Sequence, residues 1–442
     1  MNKTSYNLED MDIDKQSLSP SVMEKIFALA KRRGFIYPGS EIYGGFSGFW
    51  DYGPLGVELK NNIKREWWKS MVYEREDVVG IDSAIIMNPK VWEASGHVEA
   101  FTDPLVECKA CHHRFRADKV EANACPDCGG KLTEPKKFNL LTEVYVGTTE
   151  EGKKKAYLRG EITQGVFVNF KNVVDSTRIK IPFGIAQIGK AFRNEITTGN
   201  FTFRDREFEQ MELEYFIEPE GKEAERMFEF WKNARMNWYI SLGMSKVNLR
   251  FREHEDKEKA HYAAKAEDIE YKAPFGWSEF EGIHNRTDYD LKNHNLKYKN
   301  EDGEEYTPWV IETSGGVDRA ALFLLLNAYH EEKERVILKL SPRLAPYKVA
   351  VFPLLANKEG LLKEAKRVFD ILKGKFNVAW DDRGNIGKRY FAQDEIGTPW
   401  CVTVDFTTLE DETVTVRDRD STKQERVAID KLAEYFQNKL SI

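Results

Sequence analysis

Four of the five cysteines have the spacing of a metal-binding knuckle. Cys108 and Cys111 form one CxxC pair, Cys125 and Cys128 form a second, and thirteen residues separate the two pairs. Two such pairs can place four thiolates tetrahedrally around zinc, so the spacing predicts a zinc site rather than disulfides. The presence of all four ligands argues against a relic knuckle, and a redox-active pair is the remaining alternative. The fifth cysteine, Cys401, lies in an apolar, strand-like run and is predicted to be a buried, inert thiol.

A second group of chemically capable side chains lies on a predicted β-hairpin, with strands at 183–195 and 203–217 and a polar loop between them. Because side chains alternate along a strand, one face collects charged and aromatic residues, namely Arg193 and Glu195 on the first strand and Arg204, Arg206, Phe208, Gln210 and Glu212 on the second. Arginines there can bind a polyphosphate, and an aromatic ring can stack on a base. A solvated face of cross-strand ion pairs explains the alternation equally well.

Several helices and strands must position these groups. Ser21 and Glu24 form a capping box that predicts a helix ending at Gly34. Apolar periodicity predicts further helices at 55–71, 164–174 and 224–242. The run 310–319 predicts a strand, a turn and the start of an apolar helix. Beyond residue 343, short strands alternate with helices, which predicts a separate α/β domain.

Composition excludes some classes of protein. The chain has 442 residues, 41% of them hydrophobic, and no apolar run near the roughly 20 residues that a membrane-spanning helix needs. Its net charge of −7 gives no global field for a polyanion, so any nucleic-acid binding must come from local patches. Residues 1–20 are polar and acidic without a targeting pattern, which predicts a disordered N-terminal segment on a cytoplasmic chain.

Three segments together resemble the class II aminoacyl-tRNA synthetases. Phe192–Glu195 and Phe203–Glu212 look like motif 2, and Gly315–Arg319 looks like motif 3. The helix at 55–71 with the strand-like run that ends at Pro89 resembles motif 1, the dimer-forming element. Further stretches are similar to the homodimeric glycyl-tRNA synthetases: Tyr43–Gly45, Trp50–Gly56, Trp92–His97, Arg159–Gly165 and Ile396–Pro399.

The resemblance implies an α+β fold of the class II kind, with an antiparallel catalytic sheet flanked by helices. The implied catalytic domain spans residues 21–342, with a zinc-knuckle insertion at about 106–133 and a second insertion at about 218–305. An α/β anticodon-binding domain would follow at 343–442. The implied activity is the ATP-dependent activation of glycine to glycyl-adenylate and its transfer to the 3′ end of tRNA(Gly) by a homodimer that uses Mg²⁺ and a structural Zn²⁺.

The resemblance also implies the site residues. The catalytic residues would be Arg193, Glu195 and Arg319, with the two arginines on the α- and γ-phosphates of a bent ATP. ATP would further contact Asn194, Phe203, Arg204, Phe208, Glu279, Phe280 and Gly316, with Phe208 on the adenine and Glu279 on the magnesium ion. Glycine would lie among Arg116, Glu161, Phe208, Gln210, Glu212, Glu312 and Ser314.

Physical chemistry agrees with these roles, and rival functions stay open. A carboxylate needs no general base to attack phosphorus, so alignment and charge stabilisation suffice. Amino acids larger than glycine can be excluded by steric clash, without an editing domain.

The carboxylates at 161, 212 and 312 are alternatively surface groups. One rival function is a non-catalytic paralogue that acts as a nucleic-acid-binding accessory protein, and another is an adenylate-forming enzyme with a protein or small-molecule acceptor.

Overall fold

The computed structural model describes residues 21–120, 124–149, 151–260 and 262–440. The N-terminal segment 1–20, predicted to be disordered, lies outside the described residues. The helices, numbered along the described chain, are α1 (Val22–Arg33), α2 (Pro54–Trp68), α3 (Pro89–Ala94), α4 (His97–Ala100), α5 (Thr163–Thr177), α6 (Gly221–Ser241), α7 (Tyr289–Asn293), α8 (Val317–Ala328), α9 (Glu359–Lys373), α10 (Ile386–Ile396), α11 (Thr408–Asp411) and α12 (Leu432–Leu440).

The strands fall into several separate sheets. In chain order they are β1 (Ile36–Pro38), β2 (Trp50–Tyr52), β3 (Val78–Ile81), β4 (Ile86–Met87), β5 (Thr102–Glu107), β6 (Arg114–Arg116), β7 (Lys136–Asn139), β8 (Thr142–Val146), β9 (Lys154–Leu158), β10 (Phe183–Phe192), β11 (Glu207–Ile217), β12 (Leu249–Glu253), β13 (Lys265–Ala273), β14 (Gly276–Thr287), β15 (Tyr298–Lys299), β16 (Glu305–Tyr306), β17 (Trp309–Gly316), β18 (Tyr329–Glu331), β19 (Val336–Leu338), β20 (Val349–Pro353), β21 (Val378–Trp380), β22 (Trp400–Val404), β23 (Thr413–Asp418) and β24 (Gln424–Ala428).

The first helix begins and ends as its sequence predicts. The Ser21 hydroxyl accepts a hydrogen bond from the Glu24 backbone N–H, and the Glu24 carboxylate accepts one from the Ser21 N–H at 2.6 Å. Gly34 closes the helix in the left-handed region at φ 78°, where glycine has no steric penalty. The capping box therefore marks the true start of α1.

A seven-stranded sheet carries the candidate site. Its order is β12-β13-β14-β17-β11-β10-β3, and every neighbouring pair is antiparallel except β10 and β3. Glu212 of β11 and Gly282 of β14 both lie opposite Ser314 of β17. Helices lie against the sheet, so the predicted antiparallel sheet flanked by helices is confirmed.

The two faces of β11 have different environments. Odd-numbered side chains such as Met211 and Leu213 pack into the main core with α2, α6 and α8. Even-numbered side chains face the opposite way, where Phe216 packs against Phe167 and Phe170 of α5. Because α5 covers only one end of this second face, Phe208, Gln210 and Glu212 border an open cleft.

The connection between β10 and β11 is longer than predicted. Arg193, Glu195, Arg204 and Arg206 lie in this connection and not on the strands, so their assignment to one strand face was wrong. The Arg206 backbone N–H donates to the carbonyl of Gly48 instead of pairing with β10. The hairpin therefore opens before its tip, and only the β11 residues Phe208, Gln210 and Glu212 follow the period-two pattern.

A second, five-stranded sheet occupies the C-terminal part of the described chain. Its order is β21-β20-β22-β23-β24, parallel across the first three strands and antiparallel across the last three. Helices α9 and α12 pack on one face around a core of their own, and α10 packs on the other. Cys401 is 1% exposed on β22, so the prediction of a buried thiol is confirmed, and burial raises its pKa.

Buried ion pairs join this second unit to the first. Asp394 of α10 is fully buried and accepts from Arg335, next to β19, at 2.7 Å and from Arg417 of β23 at 2.9 Å. Glu395 on the same helix pairs with Arg32 of α1 at 2.8 Å. The buried Arg335–Asp394 pair and the bidentate, more exposed Arg32–Glu395 pair both cross between the two units, so the units have a defined relative position. Among the described residues, no helix is long and apolar enough to cross a membrane.

Candidate active site

The uncovered face of the seven-stranded sheet forms the floor of a cleft of about 410 Å³. Strands β11, β14 and β17 supply the floor, and the β10–β11 connection and the start of α8 supply one wall. Most of the sequence-predicted site residues line it: Arg116, Glu161, Arg193, Glu195, Phe203, Arg204, Phe208, Gln210, Glu212, Glu279, Glu312, Ser314, Gly316 and Arg319.

Two predicted ATP-binding residues do not reach this cleft. Phe280 is fully buried and packs against Tyr239 and Phe323 in the main core. It follows Glu279, which lines the cleft, and a β-bulge of strand β14 at this point directs both the Phe280 ring and the next side chain, Glu281, into the core. Asn194 lines a separate cavity, because its position in the β10–β11 connection turns it away from its neighbours Arg193 and Glu195. Neither side chain lines the cleft, so ATP binding by these two residues stays a prediction that the cleft's lining does not support.

Glu212 is the centre of a hydrogen-bond network at one end of the cleft. Its two carboxylate oxygens accept from Thr163 at 2.5 Å, Ser314 at 2.5 Å and Gln210 at 2.6 Å. Burial and the nearby Glu312 and Glu161 raise the pKa of Glu212 to about 8. At neutral pH this carboxyl is therefore mostly protonated until a cation enters.

Glu312 and Glu161 lie beside Glu212 but stay ionised. Burial alone would raise both pKa values, yet Arg286 and His284 hold that of Glu312 below its usual range, and His97 and Arg286 hold that of Glu161 well below. Glu312 Oε2 accepts from Arg286 at 3.1 Å and contacts His284 Nδ1 at 2.8 Å. These are buried groups and not surface carboxylates, and they make this end of the cleft suitable for a small cation.

Sequence reasoning missed the side chains that hold these carboxylates. His284 and Arg286 follow the two-residue period on β14, so the alternation after Gly282 was a signal for them. Thr163 begins α5, and His97 contacts Glu161 at 3.2 Å from α4. For Thr163 and His97 the sequence carries no local pattern, because both reach the carboxylates through contacts between segments that are distant in the chain.

Two arginines, Arg193 and Arg319, also line the cleft. Arg193 donates from Nε to the carbonyl of Gly160 at 2.9 Å, and its guanidinium lies 5.3 Å from the centre of the Phe208 ring. Arg319, in the first turn of α8, lies 4.5 Å from the centre of the Phe203 ring and pairs with Glu279 at 2.8 Å. The charge of the Arg319 guanidinium lowers the pKa of Glu279 and outweighs the opposite effect of desolvation. Two arginines, an ionised carboxylate and two aromatic rings can hold a nucleoside polyphosphate with its base.

Comparison with known proteins gives the family. A family model described as tRNA synthetase class II core domain (G, H, P, S and T) matches residues 145–329, and one described as anticodon binding domain matches residues 348–439. The glycine--tRNA ligase of Borreliella burgdorferi is 52% identical over 437 residues, which cover 95% of this chain and 97% of that protein. The chain belongs to the glycine--tRNA ligase family.

Two further proteins named glycine--tRNA ligase match this chain equally well. The proteins so named in Acetivibrio thermocellus and Thermobifida fusca are 52% and 51% identical, over 94% and 95% of this chain and 98% of each relative. These matches and the antiparallel sheet confirm the class II resemblance, the resemblance to the glycine enzymes and the C-terminal anticodon-binding domain.

The four-cysteine knuckle of this glycine--tRNA ligase family member has the geometry of a metal site. The Sγ atoms of Cys108 and Cys128 are 3.5 Å apart, those of Cys111 and Cys125 are 3.6 Å apart, and all four ligand atoms lie within 4.8 Å of one another. A tetrahedral ion with metal–sulfur bonds of about 2.3 Å separates its sulfurs by about 3.8 Å. The donor set therefore fits a metal ion.

The same insertion reaches the active site through Arg116. Arg116 of β6 pairs with Asp103 of β5 at 2.9 Å, and it lines the same cleft as the buried carboxylates. The knuckle follows directly from this small sheet, because Cys108 comes just after β5 and Cys111 just before β6. Because only a few residues of backbone separate the knuckle from Arg116, the position of Arg116 depends on whether the knuckle is ordered.

Proposed function

We propose that this cleft activates glycine with ATP to glycyl-adenylate and then transfers the glycyl group to the 3′ end of tRNA(Gly). The observation that supports this most directly is that one cleft is lined both by a cluster of buried carboxylates and by Arg193 and Arg319. The carboxylates suit the ammonium group of a small amino acid, and the arginines suit phosphates. The family of the chain agrees with both.

In the activation step, a carboxylate oxygen of glycine forms a bond to the α-phosphorus of ATP, and pyrophosphate leaves with the electrons of the broken P–O bond. Glycine is already ionised, so no residue needs to remove a proton. Arg193 and Arg319 stabilise the charge that spreads over the phosphate oxygens, and Phe208 stacks on adenine. Glu279 is ionised and would hold the Mg²⁺ that accompanies ATP and neutralises part of the phosphate charge.

In the transfer step, an oxygen of the terminal ribose of the tRNA forms a bond to the glycyl carbonyl carbon, the bond from this carbon to the phosphate oxygen breaks, and AMP leaves with its electrons while the hydroxyl proton passes to the phosphate or to water. We propose that residues 343–442 form the anticodon-binding domain that selects the tRNA, and that the catalytic domain spans residues 21–342. Transcripts of tRNA(Gly) with an altered anticodon should then be charged more weakly, while glycine activation without tRNA stays unchanged. Equal charging of both transcripts would count against this division of roles.

The direct test is ATP–pyrophosphate exchange with each of the twenty amino acids, because exchange does not require the correct tRNA. We expect exchange with glycine alone. Absence of exchange with every amino acid, from folded and metal-loaded protein, would instead favour a non-catalytic paralogue. Exchange with a different amino acid would show that the carboxylate cluster had been assigned to the wrong substrate.

Glycine binding should become tighter as pH rises toward 8. The ammonium group of glycine needs an ionised Glu212, whose pKa of about 8 in the empty cleft means that a proton must first be lost at lower pH. The KM for glycine should therefore fall between pH 6 and pH 8, by at most about tenfold per pH unit. The measurement is the pH profile of KM in the exchange assay. Glu212→Gln should raise KM and flatten the profile, and an unchanged profile in this variant would exclude Glu212 as its source.

We further propose that the knuckle holds one structural zinc ion per chain. Removal of zinc should leave the seven-stranded sheet folded but release Arg116 from the cleft. The loss of one charged hydrogen-bonding group, worth about 1.5–3 kcal/mol, should lower exchange about tenfold to a hundredfold. The measurement pairs metal content with exchange before and after chelation, with Cys401→Ala as the control that keeps its zinc. Full activity without metal would contradict the proposal.

We propose that the protein is a homodimer and acts in the cytoplasm. Apolar side chains before and after the motif 1 helix are exposed, Ile42 and Tyr43 at 87% each and Tyr73 at 76%, which favours burial of this part of the chain by a protein partner. Four cysteines in zinc-ligand spacing and a fifth that forms no disulfide agree with a reducing compartment. Light scattering should give twice the chain mass of 51.2 kDa, and a monomer would contradict the dimer.

A further inference from the structure

Tyr262 closes one side of the amino-acid end of the cleft. It lies in the connection between β12 and β13, and its ring centre is 3.7 Å from the guanidinium carbon of Arg286. Arg286 is fully buried and held in turn by Asp290 at 2.7 Å and by Glu312 at 3.1 Å. The ring of Tyr262 is therefore seated against the same Arg286–Glu312 pair that borders the carboxylate cluster.

A second cavity lies on the other side of this ring. It measures about 400 Å³ and is lined by the segments around Ala263 and Tyr289, outside the active-site cleft. Tyr262 is the residue that lines both cavities. The active-site cleft and the second cavity thus share the Tyr262 side chain as a wall.

The carboxylates next to Tyr262 in the cleft are suited to binding a cation. Glu161, Glu212 and Glu312 surround the place of the ammonium group, and Ser314 donates to Glu212. These polar groups hold a substrate but do not exclude one with a side chain, because every α-amino acid carries the same ammonium group. The selection of glycine needs a bulky group close to the α-carbon.

We propose that Tyr262 is a specificity-determining residue, which rejects amino acids larger than glycine by occupying the space that their side chains need. This inference rests on the proposed function. Steric repulsion rises steeply with overlap, and the contact with the buried Arg286, 3.7 Å from the ring centre, holds the Tyr262 ring in position, so a single methyl group on the α-carbon meets a positioned obstacle. Removal of the ring would join the cleft to the second cavity and make room for a side chain.

The test compares kcat/KM for glycine and L-alanine in ATP–pyrophosphate exchange. In Tyr262→Ala, the ratio of alanine to glycine activation should rise about tenfold or more, the gain expected when a pocket accepts one additional methyl group. Tyr262→Phe retains the ring, so its ratio should match that of the wild type. Lys292→Ala removes an exposed side chain from the second cavity alone, so it should also leave the ratio unchanged.

The ratio separates specificity from general damage. A purely structural role for Tyr262 would lower activation of both amino acids together and leave the ratio unchanged, and that result would overturn the inference. If Tyr262→Ala does not fold, Tyr262→Leu keeps an apolar contact with a smaller side chain and should shift the ratio in the same direction. Absence of glycine exchange in the wild type would contradict the proposed function itself, whereas normal wild-type exchange with an unshifted ratio in the variants contradicts only the role of Tyr262.

Discussion

Replacement of Arg193 by alanine should lower glycine-dependent ATP–pyrophosphate exchange about a thousandfold. The guanidinium of Arg193 is held by the Gly160 carbonyl at 2.9 Å and faces the cleft between Phe101 and Phe208. A preorganised cation that meets charge developing in the transition state is worth about 10²- to 10⁵-fold in rate, depending on the reaction. Because Arg193 is anchored before ATP binds, its contribution needs no reorganisation. The loss should therefore appear mainly in kcat.

Arg250→Ala is the matched control. Arg250 belongs to strand β12 of the same sheet, pairs with Glu270 at 2.6 Å and lies outside the residues that line the cleft. Its side chain is 45% exposed, so its removal should change exchange by no more than about twofold. Arg193→Lys should recover little, because a lysine cannot reproduce a planar, bidentate contact with phosphate. An Arg193→Ala enzyme with the wild-type activation rate would exclude this arginine from the catalytic machinery.

Replacement of Glu281 by alanine should destabilise the catalytic domain by about 3–5 kcal/mol. Glu281 of β14 and Arg235 of α6 are both buried, and they form two hydrogen bonds of 2.5 and 3.0 Å. Tyr239 donates a further bond of 2.5 Å to Glu281. The variant would leave the Arg235 guanidinium buried and unpaired, at the full cost of its desolvation. The shift of the urea unfolding midpoint measures this loss.

Two further variants separate the ion pair from side-chain packing. Arg235→Met combined with Glu281→Leu replaces both charges by apolar groups and should recover most of the lost stability, since a buried pair often gains little over a packed apolar pair. Glu225→Ala breaks an exposed pair with Lys265 and should change stability by less than about 1 kcal/mol. A loss for Glu281→Ala as small as that of Glu225→Ala would show that Arg235 finds another partner or water.

The Arg235–Glu281 pair also explains a glycine next to the catalytic residues. A Cβ atom at Gly315 would lie 2.9 Å from Glu281 Oε2 and 3.1 Å from the Tyr239 hydroxyl, below normal contact distances. Strand β17 can therefore pass over the ion pair only with glycine at this position. Of the two glycines in the motif 3 resemblance, Gly315 is therefore required by close packing against a buried charge.

Local patterns were sufficient where the structure is local. The capping box at Ser21 gave the start of α1, and the two CxxC pairs gave four sulfurs within reach of one ion. Alternation along β11 correctly placed Phe208, Gln210 and Glu212 on one face. Hydrogen bonds within a helix turn, short ligand spacings and the pleat of a strand each depend on residues close together in the chain, so the sequence displays them directly.

Local patterns failed where distant segments compete for the same residues. Arg204 and Arg206 continue the alternation of β11, but the loop around Gly48 takes the backbone N–H of Arg206 and ends the strand pairing. Phe280 adjoins a cleft residue and is drawn into the core by the aromatic cluster of α6 and α8. Helix α10 was not predicted at all, since its few apolar residues give only a weak helical period and much of its burial comes from arginine–aspartate pairs.

Motifs and periodicity are properties of neighbouring residues, so they were enough to predict the class of fold, the family resemblance and the kinds of side chain available. Which of those side chains meet, and in which protonation state, depends on the packing of distant segments. Glu212 and Glu312 have the same side chain, yet the pKa of Glu212 is raised to about 8 and that of Glu312 is lowered. The difference arises from Arg286 and His284, which strand β14 brings to Glu312 and not to Glu212. Charge in a buried site depends on desolvation and on neighbours in space, and folding alone chooses those neighbours.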